Sequence, residues 1–145
     1  MNWKHEAEEK LRSYDAMQAA SDTIPKEIRR LQQAAYGLRS TMFCGVPSGG
    51  NLRAKEDQLL DCMGQQQELQ WQLGMVRQWL EVTDAAMDQL KREDQQLLRR
   101  LYGCKRKGSV EALCQELGVE RSSVYRRRDQ ALSRFATALY GQLPS

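Results

Sequence analysis

Apolar residues recur every three or four positions along most of this chain, and the recurrence predicts a succession of helices. Trp3, Ala7, Leu11, Tyr14 and Met17 form one face of a first helix over 3–20, with Lys4, Glu6, Glu8, Glu9 and Lys10 on the other. Asp22-Thr23-Ile24-Pro25 predicts a break, because proline suits a first helical turn and not a helix interior. A second helix then carries Ile28, Leu31, Ala35, Leu38 and Met42, spaced 4, 3, 4, 3, 4 from Ile24, which is a heptad seam. Phe43-Cys44-Gly45-Val46-Pro47-Ser48-Gly49-Gly50-Asn51 is rich in glycine, proline and serine and predicts the main loop. The longest periodic segment, 53–91, has a second seam through Leu59, Cys62, Gln66, Leu69, Leu73, Val76, Leu80, Thr83, Met87 and Leu90. Leu60, Met63, Met75 and Trp79 widen its apolar stripe. Such a helix would be roughly 55 Å long and needs a partner along its length. An antiparallel hairpin with the preceding helix supplies part of that partner, and a first helix or a second protomer the rest. Gln66 and Thr83 interrupt the seam, either to fix its register or as tolerated edge positions.

Lys91-Arg92-Glu93-Asp94 marks a junction, with Glu93 and Asp94 suited to the first turn of a new helix because they oppose its dipole. Leu97, Leu98, Leu101 and Tyr102 make its buried face, and Gly103 its stop. After the basic connector Cys104-Lys105-Arg106-Lys107-Gly108, Ser109 suits an N-cap. The stretch Ser109–Tyr140 then has the pattern of two helices joined by a tight turn, with apolar positions at Leu113, Leu117, Val119, Val124 and Leu132. Cys114 is small where two helices would cross, and Gly118 falls where the backbone must take a positive φ. Val124 is predicted to point inward and Arg121, Ser122, Tyr125 and Arg126 outward. The last helix runs on through Ala131, Leu132, Phe135, Ala138 and Leu139 toward Gly141. The fold class expected is all-α: a coiled-coil-like hairpin domain over 1–91 for oligomerisation or partner binding, then a small helix-turn-helix domain over 92–145.

Charge sharpens this division. Residues 1–90 hold 10 Lys/Arg and 13 Asp/Glu, whereas residues 91–145 hold 12 and 6, so the net +3 of the chain conceals a basic C-terminal segment. That is the electrostatic footprint expected of a nucleic-acid binder. A sequence built only to fold has little reason to place the run Arg126-Arg127-Arg128 there, since like charges repel. The four cysteines include no CxxC pair, and the single histidine, His5, is distant in sequence from all of them, so no zinc pattern is formed. Gly49-Gly50 lacks the flanking strand and lysine of a phosphate-binding loop. No cofactor is expected. With no signal-like apolar run and no stretch of membrane-spanning length, a cytoplasmic location with reduced thiols and no membrane partner is expected.

Over residues 93–140 the pattern resembles region four of the bacterial σ70 family: Leu97-Leu98 with Leu101-Tyr102, a short connector, then Ala112-Leu113-Cys114-x-x-Leu117-Gly118-Val119 and a recognition helix. Cysteine stands at 114 where alanine is usual, Arg127 where an inward apolar residue is usual, and Glu120 where a serine or threonine cap is usual. Residues 1–90 lack the other σ regions. The whole layout resembles small phage and prophage transcription regulators of the RinA/ArpU kind. That resemblance implies sequence-specific binding of double-stranded DNA, control of late phage or prophage genes, and RNA polymerase as a further partner; a homodimer through the hairpin stays open. Carried over from region four, Arg121, Ser122, Tyr125 and Arg126 are the expected base readers, and Arg128, Lys105, Arg106 and Lys107 the expected phosphate contacts. Two other readings compete. One is a phage DNA-packaging protein resembling a terminase small subunit; the other is a helical scaffold with no nucleic-acid role. An enzyme is the least supported reading, for no nucleophile–base pair or metal cluster is visible.

Overall fold

The computed structural model describes residues 2–44, 49–103 and 109–141. Among them the fold is an all-α multi-helix bundle with no strand: α1 (Trp3–Cys44), α2 (Gly49–Asp88), α3 (Arg92–Leu98) continued by a π-helical turn at Arg99–Gly103, α4 (Ser109–Leu117) and α5 (Arg121–Tyr140). No helix among the described residues is long and apolar enough to cross a membrane. The chain groups into two compact units, one of residues 1–17 with 79–145 and one of residues 18–78.

The break expected at Asp22–Pro25 does not occur, because α1 runs straight through Pro25. Proline in a helix interior removes one hydrogen bond and costs about 3 kcal/mol. The apolar face nevertheless keeps its phase from Met17 through Ile24 to the buried Ile28, Leu31 and Ala35, so burial favours one continuous helix. The preceding turn is also occupied locally, with the Ser21 and Thr23 hydroxyls donating to the carbonyls of Gln18 and Ala19. The expected loop is shorter as well. Gly49, Gly50 and Asn51 belong to the first turn of α2, where N–H groups have no intrahelical partner to lose; residues 45–48 lie outside the described residues.

In the unit of residues 18–78, α1 and α2 line a common groove. Thr41 shares a groove with Gln58, and Ala34 shares the same groove with Gln65. Along the two predicted seams, Ile28, Leu31, Ala35 and Leu73 are buried, and Leu59, Cys62, Gln66, Leu69 and Val76 are half-buried.

The other unit has two cores. The larger joins Ala7 and Leu11 of α1, Ala86 and Met87 of α2, Leu90 after it, Leu98 of α3, and Ala131, Leu132, Phe135 and Ala136 of α5. The smaller joins Leu97, Leu113 and Val124, with Leu101, Val110, Cys114 and Val119 packed on it. The adjacent leucines of α3 thus serve different cores. Thr83 is fully buried, and its hydroxyl donates to the Trp79 carbonyl at 2.8 Å within its own helix, so it is satisfied without a cross-helix partner.

The α4–α5 turn follows from Gly118, whose φ is +63°. The Val119 N–H reaches back to the Cys114 carbonyl at 3.2 Å, the bond that closes a helix in a Schellman arrangement, and both residues pack against the smaller core. A Cβ at Gly118 would meet nothing within 4 Å, so Gly118→Ala carries only the conformational penalty. That substitution is expected to lower unfolding stability by about 1–2 kcal/mol in urea titrations. An unchanged midpoint would mean that the turn does not hold this conformation in solution.

Two tyrosines give the fold a pH signature. The Tyr14 hydroxyl donates to Asp84, and that bond, with burial and the carboxylate charge, raises its pKa from 10.0 to about 12. Burial raises Tyr102 from 10.0 to about 12. The native state therefore holds both protons more tightly than the unfolded chain does. The resulting stabilisation is complete below pH 10 and is lost as pH rises through 12. Denaturation midpoints are expected to fall over this interval, and Tyr14→Phe to fall less steeply than wild type.

Candidate nucleic-acid interface

α5 begins without a side-chain cap. Glu120 is extended (φ −75°, ψ 160°), and its carbonyl accepts the N–H groups of Ser123 and Val124 at 3.1 and 3.2 Å. The helix is held instead from beneath, where Val124 is fully buried against Leu97 and Leu113. With Val124 inward, Arg121, Ser122, Tyr125 and Arg126 all emerge exposed on the first two turns, as expected. Their i, i+1, i+4, i+5 spacing puts them on one side of the helix.

Three polar ties fix α5 to its neighbours. Lys4 Nζ lies 2.9 Å from Asp129, Arg134 donates to Asp94 at 2.6 Å, and the Tyr140 hydroxyl donates to Glu6 at 3.2 Å. Arg100 pairs with Glu116 and ties the π-helical turn to α4. Exposed pairs of this kind contribute about 0–1 kcal/mol each, so their main effect is on orientation.

The arginines on the first half of α5 have different surroundings. Arg121 pairs with Glu111 at 3.3 Å, and both side chains are largely in solvent. Arg128 is half-buried: it donates to Asp129 at 2.9 Å, and its guanidinium carbon stands 4.9 Å from the Tyr125 ring centroid. Burial opposes ionisation of Asp129, but hydrogen bonds from Lys4 and Arg128 outweigh it and hold the carboxyl below the usual range. Among the described residues, no carboxylate lies within ion-pair distance of Arg126 or Arg127. Arg127 turns to a groove of about 650 Å³ shared with Lys91, Arg100, Leu113 and Leu117. Arg127 itself is exposed rather than inward. Lys105, Arg106 and Lys107 lie outside the described residues.

A second groove, of about 880 Å³, runs along the expected base-reading face and is lined by Ser122, Tyr125, Arg126 and Asp129 together with Trp3 and Lys4 of α1. Nothing in the sequence marked Trp3 and Lys4 for this place. They lie over a hundred positions away, and their helical periodicity reports only which face of α1 is apolar. The arrangement brings guanidinium, hydroxyl and phenol groups to one groove. No group of three His, Cys, Asp or Glu side chains suited to a metal is present among the described residues, and Cys62 and Cys114 are free thiols.

Compared with protein-family models, with curated proteins and with solved structures, the chain matches none of them.

Proposed function

We propose that α4 and α5 form a helix-turn-helix, that α1 and α2 form the hairpin expected from their seams, and that the protein is a sequence-specific double-stranded DNA-binding regulator of transcription. The observation that carries this reading is the exposed face of Arg121, Ser122, Tyr125 and Arg126 on the first two turns of α5, set over a buried Val124. In a helix-turn-helix, these N-terminal positions of the second helix meet base edges in the major groove. The positive φ at Gly118 and the Val119–Cys114 closure are the turn such a motif requires. The excess of 12 Lys/Arg over 6 Asp/Glu in residues 91–145 supports attraction to phosphate. Phage or prophage late genes as the target, and RNA polymerase as a partner, follow from the resemblance to the RinA/ArpU kind of regulator.

The test is selection from a randomised duplex pool by the full chain, with sequencing of the bound fraction and binding measured at two salt concentrations. An enriched motif with steep salt dependence is the expected result. Salt-dependent binding without any motif would favour a packaging role. No binding at low salt would leave the basic face as a protein-contact surface.

A further inference from the structure

The groove beside the first turns of α5 is walled by two segments that are distant in sequence but belong to one compact unit. Its α1 wall is held at three points. Trp3 packs on the larger core, Lys4 Nζ lies 2.9 Å from Asp129, and Glu6 accepts the Tyr140 hydroxyl at 3.2 Å. On the α5 wall, Ser122, Tyr125, Arg126 and Asp129 follow one another at helical spacing along one line. Among the described residues, Asp129 is the only carboxylate that lines this groove. Two cations serve it, since Arg128 donates to it at 2.9 Å alongside Lys4. The other acid within one turn of Lys4 on the same face of α1, Glu8, is paired with Arg12 at 3.3 Å. Arg134 also lines the groove, but it is paired with Asp94 at 2.6 Å.

We infer that Lys4, on the first turn of α1, is a DNA-backbone contact, aimed by Asp129 at a phosphate beside the base pairs that α5 reads. The inference rests on the DNA-binding reading and extends the interface to a second helix. Placement argues for it. Asp129 lies seven positions beyond Ser122, roughly 10 Å along the axis at ~1.5 Å per residue. The second helix of such a motif enters the major groove by its N-terminal turns, and that groove is about 8.5 Å deep. Side chains this far along α5 therefore leave the base edges and come level with the phosphates. Charge argues for it too. A carboxylate at that level repels the duplex, because every phosphate is negative. Arg128 alone would only cancel it. With Lys4 there are two cations against one carboxylate, and the cluster attracts the backbone instead. An ammonium has three donors, so Lys4 can keep Asp129 and still donate to a phosphate oxygen, and both side chains are partly in solvent.

The test measures binding of the full chain over a salt series, on a duplex carrying the selected site and on a random-sequence duplex. Phosphate-ethylation interference locates the backbone contacts, and far-UV circular dichroism is the control for folding. Lys4→Gln is expected to weaken binding roughly three- to tenfold, by the same factor on both duplexes, and to reduce the slope of log affinity against log salt by about one. It should also abolish interference at one or two phosphates and leave the rest. Lys4→Arg should restore all three. Tyr140→Phe removes another tie between α1 and α5 without changing charge, so it should leave the slope and the interference pattern as they are. An unchanged slope and pattern in Lys4→Gln overturns the inference and spares the DNA-binding reading, since wild type still binds. A Tyr140→Phe variant that loses as much as Lys4→Gln reduces Lys4 to a structural tie, and a Lys4→Gln loss confined to one base pair makes it a reader; either result overturns the inference. A wild type that binds neither duplex overturns both.

Discussion

Phe135→Ala is expected to destabilise the protein by about 3–5 kcal/mol, the largest effect of any single truncation proposed here. Phe135 is fully buried in the core that joins α1, α2, α3 and α5, and among the described residues it is the largest of the side chains wholly removed from solvent. Its loss leaves a cavity that four helices would have to close together. At this chain length the thermal midpoint should fall roughly 10–20 °C, followed by circular dichroism at 222 nm. The fall should involve the ends of α1 and α2 as well as α5, because Ala7, Leu11, Ala86 and Met87 line the same core. A shift of only a degree or two would show that these helices do not share a core in solution.

Arg126→Ala is expected to weaken binding to a selected DNA site by about 1–3 kcal/mol, or roughly 5- to 150-fold, and to relax preference at one base pair. Arg126 is the residue of choice because it is exposed on the proposed reading face and has no carboxylate partner among the described residues. The contrast is Arg128, which the resemblance assigns to phosphate. In the folded chain it is held by Asp129 and stacked on Tyr125. Arg128→Ala would therefore disturb Tyr125 as well as remove a charge. Competition binding against single-base variants of the site separates the two roles. Equal loss on every sequence after Arg126→Ala would remove it from the readers and leave it as a backbone contact.

Much of the helical layout was legible in the sequence. The seams through Ile28, Leu31 and Ala35 and through Leu73, Thr83 and Met87 are the buried faces observed. Gly118 takes the positive φ its position implied, and Val124 is inward. Other features misled. Pro25 reads as a break by its chemistry alone, yet the apolar phase on either side of it carries one helix through. Leu117 reads as a core position, but it is exposed at the end of α4. The π-helical turn at Arg99–Gly103 had no signal, since Leu101 and Tyr102 fit an ordinary helix equally well.

The sequence by itself determined most of the helical segments, which stripe of each is apolar, where the α4–α5 turn falls, and that the positive charge gathers in the last third of the chain. These are local properties, set by side-chain spacing and by the conformational freedom of single residues. Only the tertiary structure decided which stripes meet. It brought Ala7 and Leu11 against α5, divided Leu97 and Leu98 between two cores, and placed Trp3 and Lys4 beside Ser122 and Arg126. It also left Leu60, Trp71 and Met75 of α2 exposed. Periodicity states that a face must be buried but not by what, because apolar attraction is non-directional and its partner is chosen by shape and packing across the whole chain.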